Sequence, residues 1–257
     1  MTEDKLYGTA LIKGKAILDF ILACDHAPSL AEITDGTDAS KPTTLKLLTT
    51  LAVLQLVRRD PETKRYYLGT QMLSYGEKAA ATFDITALAR PYLSELRNQT
   101  GETINLGVVS DGHIVLIEKL ESPNSIKLSS VIGGTMHLYC SAMGKAVLAE
   151  YPKTLVDNYF DHHELQQVTP HTLTSPDAVR ADLDKVRESG VGIDNEETEP
   201  DVYCIGAVLR RGEQIVGAFS VSSPKYRITP ERRDQFIAAV LKTQAAIQEE
   251  LVGELVR

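Results

Sequence analysis

The chain has 257 residues, of which 43% are apolar and 24% charged, so it can form two domains with separate cores and is not a disordered or fibrous protein. Its net charge of -8 argues against a nucleic-acid partner for the chain as a whole. The three cysteines lie far apart, which excludes a Cys-x-x-Cys zinc site and argues against a disulfide framework.

The first part of the chain predicts three short helices followed by two strands. Apolar residues recur at helical spacing from 11 to 24, which predicts the first helix. Ser29 and Glu32 have the spacing of a capping box for a second helix, which Gly36 ends. Ser40 precedes a third helix whose apolar face we expect to contain Leu45, Leu48, Leu51 and Ala52. Residues 56–60 and 64–69 predict two strands joined by a basic turn.

A helix, a tight turn, a helix and a two-stranded wing form an arrangement that places one helix in a DNA major groove. The charge distribution supports this interpretation, because residues 41–65 contain six basic and two acidic residues while the rest of the chain is acidic. We therefore expect contacts to double-stranded operator DNA from Ser40, Lys41, Thr43, Thr44 and Lys46 on the helix and from Arg58, Arg59, Lys64 and Arg65 in the wing. The alternative is that the wing charges only form a solvated hairpin tip.

The rest of the chain mixes helices with antiparallel hairpins, which predicts an α+β domain. Helical patterns cover 72–81, 85–96, 141–150, 152–160, 176–189 and 230–251, and strand patterns cover 104–109, 113–117, 126–132, 202–209 and 215–221. We divide the chain into a DNA-binding domain at 5–69, a linker helix at 70–83 and a second domain at 84–257. Such a helix-covered sheet can enclose a small-molecule pocket.

Several short segments occur in one order along both parts. They are Ser29–Ile33, Ser40–Thr43, Tyr67–Gly69, Ser141–Ala149, Thr172–Pro176, Val186–Gly190, Gly192–Glu197 with Cys204 after it, and Ser220–Ser222. Together they resemble the IclR family of bacterial transcriptional regulators over residues 11 to 250. Lys46 stands where many members have Arg, and this exchanges a bidentate guanine donor for a point charge.

The resemblance implies a winged helix-turn-helix joined by a linker helix to a GAF-like effector-binding domain. It implies a homodimer or tetramer that responds to a small organic acid and acts as a repressor, with an activator as the alternative. No apolar run is long enough to cross a bilayer and no signal-peptide pattern is present, so we expect a cytoplasmic location and no membrane, cofactor or metal partner. Residues 101–107 and 194–197 look most like regulators of sugar-acid (ketodeoxygluconate-type) catabolism. The positions that match the family's effector contacts are Ala142, Met143, Asp194, Cys204, Ser220 and Ser222.

The residue types at these positions are suited to binding a small organic acid. The helix start at 141–144 offers unpaired N–H groups to a carboxylate, Asp194 can accept from hydroxyls, and Ser220 and Ser222 share one face of a strand. Each also has a purely structural interpretation, in which Cys204 is plain core, Asp194 caps a turn and Ser220 satisfies a backbone group.

Two other functions are compatible with the sequence. One is an enzyme that acts on a small organic acid and has an appended DNA-binding module. No base–nucleophile pair can be assigned from the sequence, and neighbouring His162 and His163 lack the spacing of a metal site. The other is an oligomeric scaffold with a vestigial pocket.

Overall fold

The computed structural model of the chain describes residues 8–80, 85–124 and 129–253, which fall into two units, Met1–Phe83 and Asp84–Arg257. In the first unit, helices α1 (Thr9–Ala23), α2 (Leu30–Asp35) and α3 (Lys41–Val53) precede strands β1 (Val57–Arg59) and β2 (Tyr66–Leu68) and helix α4 (Gln71–Ala80). The two strands pair antiparallel as a wing. The predicted winged helix-turn-helix is therefore confirmed.

Helix α2 begins with the predicted capping box. The Ser29 hydroxyl accepts from Glu32 N at 3.3 Å, and the Glu32 carboxylate accepts from Ser29 N at 2.7 Å. Ser40 stands at the start of α3, but its hydroxyl lies 3.0 Å from Thr43 Oγ1 and caps no backbone N–H. Both helices thus begin after a serine, but only the Ser29 hydroxyl accepts from a backbone N–H of its helix.

The predicted apolar face of α3 is correct at Leu48 and Leu51 and wrong at Leu45 and Ala52. Its buried side chains are Thr44, Leu48 and Leu51, whereas Leu45 is 46% exposed and Ala52 is exposed. Thr44 can be buried because its hydroxyl donates to Ser40 O at 3.2 Å. A threonine therefore occupies the core position where the sequence pattern indicated a leucine.

The second unit contains a six-stranded antiparallel sheet covered by helices. Its elements are α5 (Ile85–Thr100), β3 (Thr103–Ser110), β4 (His113–Leu120), β5 (Thr135–His137), α6 (Ala142–Glu150), α7 (Lys153–His162), α8 (Pro176–Ser189), β6 (Gly192–Asn195), β7 (Val202–Arg211), β8 (Gln214–Pro224), a 3-10 turn (Lys225–Arg227) and α9 (Pro230–Gly253). The strand order is β5-β4-β3-β8-β7-β6. This confirms the α+β class.

Two strand predictions need correction. The strand expected at 126–132 partly lies outside the described residues, and 129–132 form no strand. The edge strand next to β4 is Thr135–His137 instead. Strand β6 was not predicted, because its four residues include Gly192 and Asp194 and its polar composition is atypical of strands.

The sheet of the second unit separates two apolar cores. On one face, Ile205, Phe219 and Val221 pack with helices α5 and α9. On the other, Val208 and Ala218 pack with α6, α7 and α8. Since side chains alternate along a strand, the even-numbered residues from 202 to 208 in β7 and from 218 to 222 in β8 face the α6 side. A register shift after Leu209 reverses the order near the turn, where Ile215 packs on the α6 side. Among the described residues, no helix is long and apolar enough to cross a membrane.

Candidate functional site

Two neighbouring rows of residues cross the α6 face of the sheet. One row pairs Gly192 with Gly206, Gly206 with Ser220, and Ser220 with Asn105. The next row pairs Asp194 with Cys204 and Cys204 with Ser222. Antiparallel pairing thus brings side chains from four strands together, although they are up to 117 residues apart in sequence.

The first turn of α6 lies directly on these rows because two glycines leave room for it. A Cβ atom at Gly206 would come within 2.7 Å of Met143 N, and one at Gly192 within 2.2 Å of Ala142 O. The Ser141 hydroxyl caps the helix by accepting from Gly144 N at 3.1 Å. Among the described residues, neither Ala142 N nor Met143 N has a hydrogen-bond acceptor. These two amides therefore remain available at the positive end of the helix.

A cavity of about 420 Å³ lies between this helix start and the sheet. Its size falls within the range of small-molecule sites. Its lining includes every predicted effector residue, namely Ala142, Met143, Asp194, Cys204, Ser220 and Ser222. The structure thus brings the six residues together at one cavity; that they bind an effector stays a prediction.

Asp194 both lines the cavity and holds a turn. Its carboxylate accepts from Glu197 N at 2.7 Å, from Thr198 N at 3.3 Å and from the Thr198 hydroxyl. Burial raises its pKa, and the hydrogen bonds from Thr198 and Glu197 oppose that rise. The turn-capping interpretation is therefore correct, and a ligand would meet only the lone pairs that remain.

The two serines differ in their partners. Ser222 Oγ accepts from Asn105 Nδ2 at 3.1 Å, and Asn105 Oδ1 accepts from the Ser130 hydroxyl at 3.2 Å. Ser220 is 3% exposed, lines the cavity and has no hydrogen bond from its hydroxyl among the described residues. Burial raises the pKa of the neighbouring Cys204 thiol, which keeps it protonated. Ser220 is thus the hydroxyl most available to a ligand.

A buried ion cluster that the sequence analysis did not identify lies next to the residues that line the cavity. Lys145 Nζ donates to Asp182 Oδ2 and to the Ile193 carbonyl, each at 2.8 Å, and to Glu197 Oε1. Burial raises the pKa of Glu197 to about 7, an effect that Lys145 opposes. The Gly144-Lys145 pair was the available signal, since a lysine within a buried helix needs carboxylate partners.

The cavity lining contains no Lys or Arg from the part of the chain that the structure describes. All three protons of the Lys145 ammonium are used within its own cluster. His137 lines the cavity, and burial together with nearby His113 and His163 lowers its pKa, which favours the neutral ring at pH 7. A bound anion would therefore be held by amides and hydroxyls rather than by a cationic side chain.

The predicted DNA-contacting residues of α3 are mostly exposed, with one exception. Ser40, Lys41 and Lys46 are exposed and Thr43 is half-buried. Thr44 is 0% exposed, and its hydroxyl is bonded to the backbone, so the expectation that it contacts DNA is wrong.

The wing residues divide in the same way. Arg58, Arg59 and Lys64 are exposed, with the Arg58 guanidinium 4.0 Å from the Tyr67 ring centre. Arg65 Nη1 instead donates to Ala27 O at 2.6 Å and lies 3.6 Å from Glu32 Oε2. Arg65 therefore ties the wing to the start of α2 and is only partly free for phosphate.

No group of three or more His, Cys, Asp or Glu side chains among the described residues has the arrangement of a metal site. The neighbouring His162 and His163 bond to backbone carbonyls of α7 through their Nδ1 atoms.

Two family models match the chain. The model described as the IclR helix-turn-helix domain matches residues 10–61, and the model described as bacterial transcriptional regulator IclR C-terminal matches residues 77–249. The Escherichia coli DNA-binding transcriptional repressor YiaJ is 32% identical over 94% of this chain and 87% of its own length. The Escherichia coli regulator KdgR is 32% identical over 81% of this chain and 80% of its own length. The crystal structure of Thermotoga maritima IclR superposes with a TM-score of 0.81 at 29% identity, covering 95% of this chain and 99% of that one.

Proposed function

The chain belongs to the IclR family of bacterial transcriptional regulators, and from this premise we propose that it is a repressor whose affinity for operator DNA is controlled by a small hydroxylated monocarboxylic acid. Its relatives are transcriptional regulators, not enzymes. The observation that carries the proposal is the cavity at the start of α6, in which free amides, hydroxyls and one buried carboxylate meet.

The groups that line the cavity limit which acids can bind there. The amides of Ala142 and Met143 suit one carboxylate, because an anion is stabilised at a helix N-terminus. Asp194 would repel a second negative charge and would accept from a hydroxyl instead. Ser220 and Asn105 offer further polar contacts on the opposite wall. A single carboxylate with hydroxyl groups, as in a sugar acid, fits this lining.

Ser220→Ala is the cleanest test of the cavity, since it removes a hydroxyl without a protein partner. We expect the variant to keep its thermal stability and to lose about tenfold in affinity for the best acid of a sugar-acid panel. The matched control is Ser223→Ala on the same strand, whose hydroxyl donates to Pro224 O on the other side of the sheet. Equal affinities for the two variants would remove Ser220 from the site. A panel in which no acid raises the melting temperature would favour a vestigial pocket.

The DNA contacts are assigned by exposure and charge. Lys41 and Lys46 on α3 and Arg58, Arg59 and Lys64 in the wing supply cations, and Ser40 and Thr43 lie at the same helix end. Arg58→Ala should weaken binding to all duplexes and lower the slope of log affinity against log salt concentration by about one. Arg65→Ala is the comparison, because part of its effect comes from loss of the contacts to Ala27 and Glu32. An unchanged slope for Arg58→Ala would contradict a phosphate contact.

We further propose that the protein acts in the cytoplasm as a homodimer or tetramer. Leu11 and Leu22 of α1 and Leu73 of α4 are 67–78% exposed, and such apolar surface favours association. Two α3 helices roughly 34 Å apart fit successive major grooves. The acid would change operator affinity by shifting the population of dimer arrangements with that spacing.

A further inference from the structure

The solvent face of α3 carries a large apolar side chain between its two lysines. Leu45 is 46% exposed, while the helix packs on the core through Thr44, Leu48 and Leu51. An isobutyl group left on the DNA-facing end of the helix has no role in the core of this unit.

The other side chains of this face offer few protons to a base. The Thr49 hydroxyl donates to Leu45 O at 2.8 Å, and the Thr50 hydroxyl donates to Lys46 O at 3.1 Å. Ser40 and Thr43 are bonded to each other. What remains for direct readout is the ammonium groups of Lys41 and Lys46, the one hydroxyl proton that the Ser40–Thr43 pair does not use, and the apolar surface of Leu45.

Base edges in the major groove present hydrogen-bond donors and acceptors and one apolar group, the C5 methyl of thymine. Burial of Leu45 against a donor or acceptor would leave that polar atom without a partner, whereas contact with a methyl group would not. We propose that Leu45 reads a thymine methyl in each operator half-site. This inference rests on the proposal that α3 lies in the major groove.

The test uses the full-length protein and a duplex selected from a random library. Each thymine of the half-site is replaced in turn by deoxyuridine, which removes only the methyl group. We expect one thymine position where the replacement weakens wild-type binding about fourfold, as burial of one methyl group requires. Leu45→Ala should bind thymine and uracil duplexes equally at that position. Val53→Ala, at the other end of α3 and 78% exposed, should keep the fourfold difference.

Two results would overturn the inference. The first is a wild-type protein that tolerates uracil at every position, a measurement that needs no variant. The second is a Leu45→Ala variant that still prefers thymine fourfold, with a melting temperature like that of the wild type. In both cases selection of a duplex would still support DNA binding, whereas failure to select any duplex would contradict the proposed function itself.

Discussion

The two units differ in how they assemble their candidate sites. In the first unit the predicted DNA-contacting residues lie within 26 positions of one another, on one short helix and one hairpin, and most are exposed. In the second unit the six predicted effector residues come from three strands and a helix start, and five of them are buried. An exposed local surface tolerates substitution, so we expect large stability effects in the second unit and smaller ones in the first.

The largest expected effect concerns Lys145. Lys145→Met removes the buried cation that Asp182 and Glu197 share, so that Glu197 loses this partner and Asp182 keeps only its pair with the exposed Lys185. We expect a loss of about 3–5 kcal/mol in the free energy of unfolding of the second unit, measured by urea denaturation. A second substitution, Glu197→Gln, should restore part of it. A loss below about 1 kcal/mol would mean that the cluster is not a stabilising part of the cavity wall.

The next effect compares two glycines. Gly206→Ala places a Cβ within 2.7 Å of the backbone of α6, and we expect it to lower the free energy of unfolding by about 1–3 kcal/mol. Gly14 lies inside α1 with nothing within 4 Å of an added Cβ, so Gly14→Ala should stabilise the first unit by about 0.5–1 kcal/mol. A Gly206→Ala variant as stable as the wild type would contradict the close approach of α6 to the sheet.

A pH effect follows from Glu197. Because burial raises its pKa from 4.5 to about 7, its contribution to stability is complete below pH 4.5 and is lost as the pH rises through 7. Glu197→Gln should therefore reduce the loss of stability between pH 5 and pH 8 by about 1.4 kcal/mol for each pKa unit of the shift. Asp182→Asn is the control, since the pKa of Asp182 is lowered by Lys145 and its contribution disappears only in acid. Urea denaturation at both pH values distinguishes the two.

The smallest expected difference in stability is between substitutions of two serines at helix starts in the first unit. Ser29→Ala removes a capping box and should cost about 1 kcal/mol, whereas Ser40→Ala removes no backbone cap and should cost less. Hydrogen exchange of the α2 and α3 amides in the intact chain measures both locally. If both substitutions increased amide exchange equally in their own helices, the capping box at Ser29 would contribute no more than Ser40 does.

The sequence predicted those features that depend on neighbouring residues. The Ser29–Glu32 capping box, the end of α8 at Gly190 and the hairpins follow from local patterns, and the structure contains each of them. Resemblance to a family indicated the six cavity residues, and no local pattern could show that Asp194 and Ser222 lie two strands apart on one row. The burial of Thr44 was missed, because threonine carries a hydroxyl and is not counted as apolar in a sequence pattern. In the structure that hydroxyl donates to Ser40 O, which allows the side chain to be buried.

The most direct test of the account measures the coupling between the two sites. Operator binding is titrated with and without the best acid of the panel, and acid binding is titrated with and without operator. We expect the acid to weaken operator binding by some factor, and operator to weaken acid binding by that same factor, since the coupling free energy is reciprocal. Ser220→Ala should reduce the acid's effect at a fixed concentration while leaving operator affinity in its absence unchanged. Coincident operator-binding curves, at acid concentrations that saturate the cavity, would contradict the account.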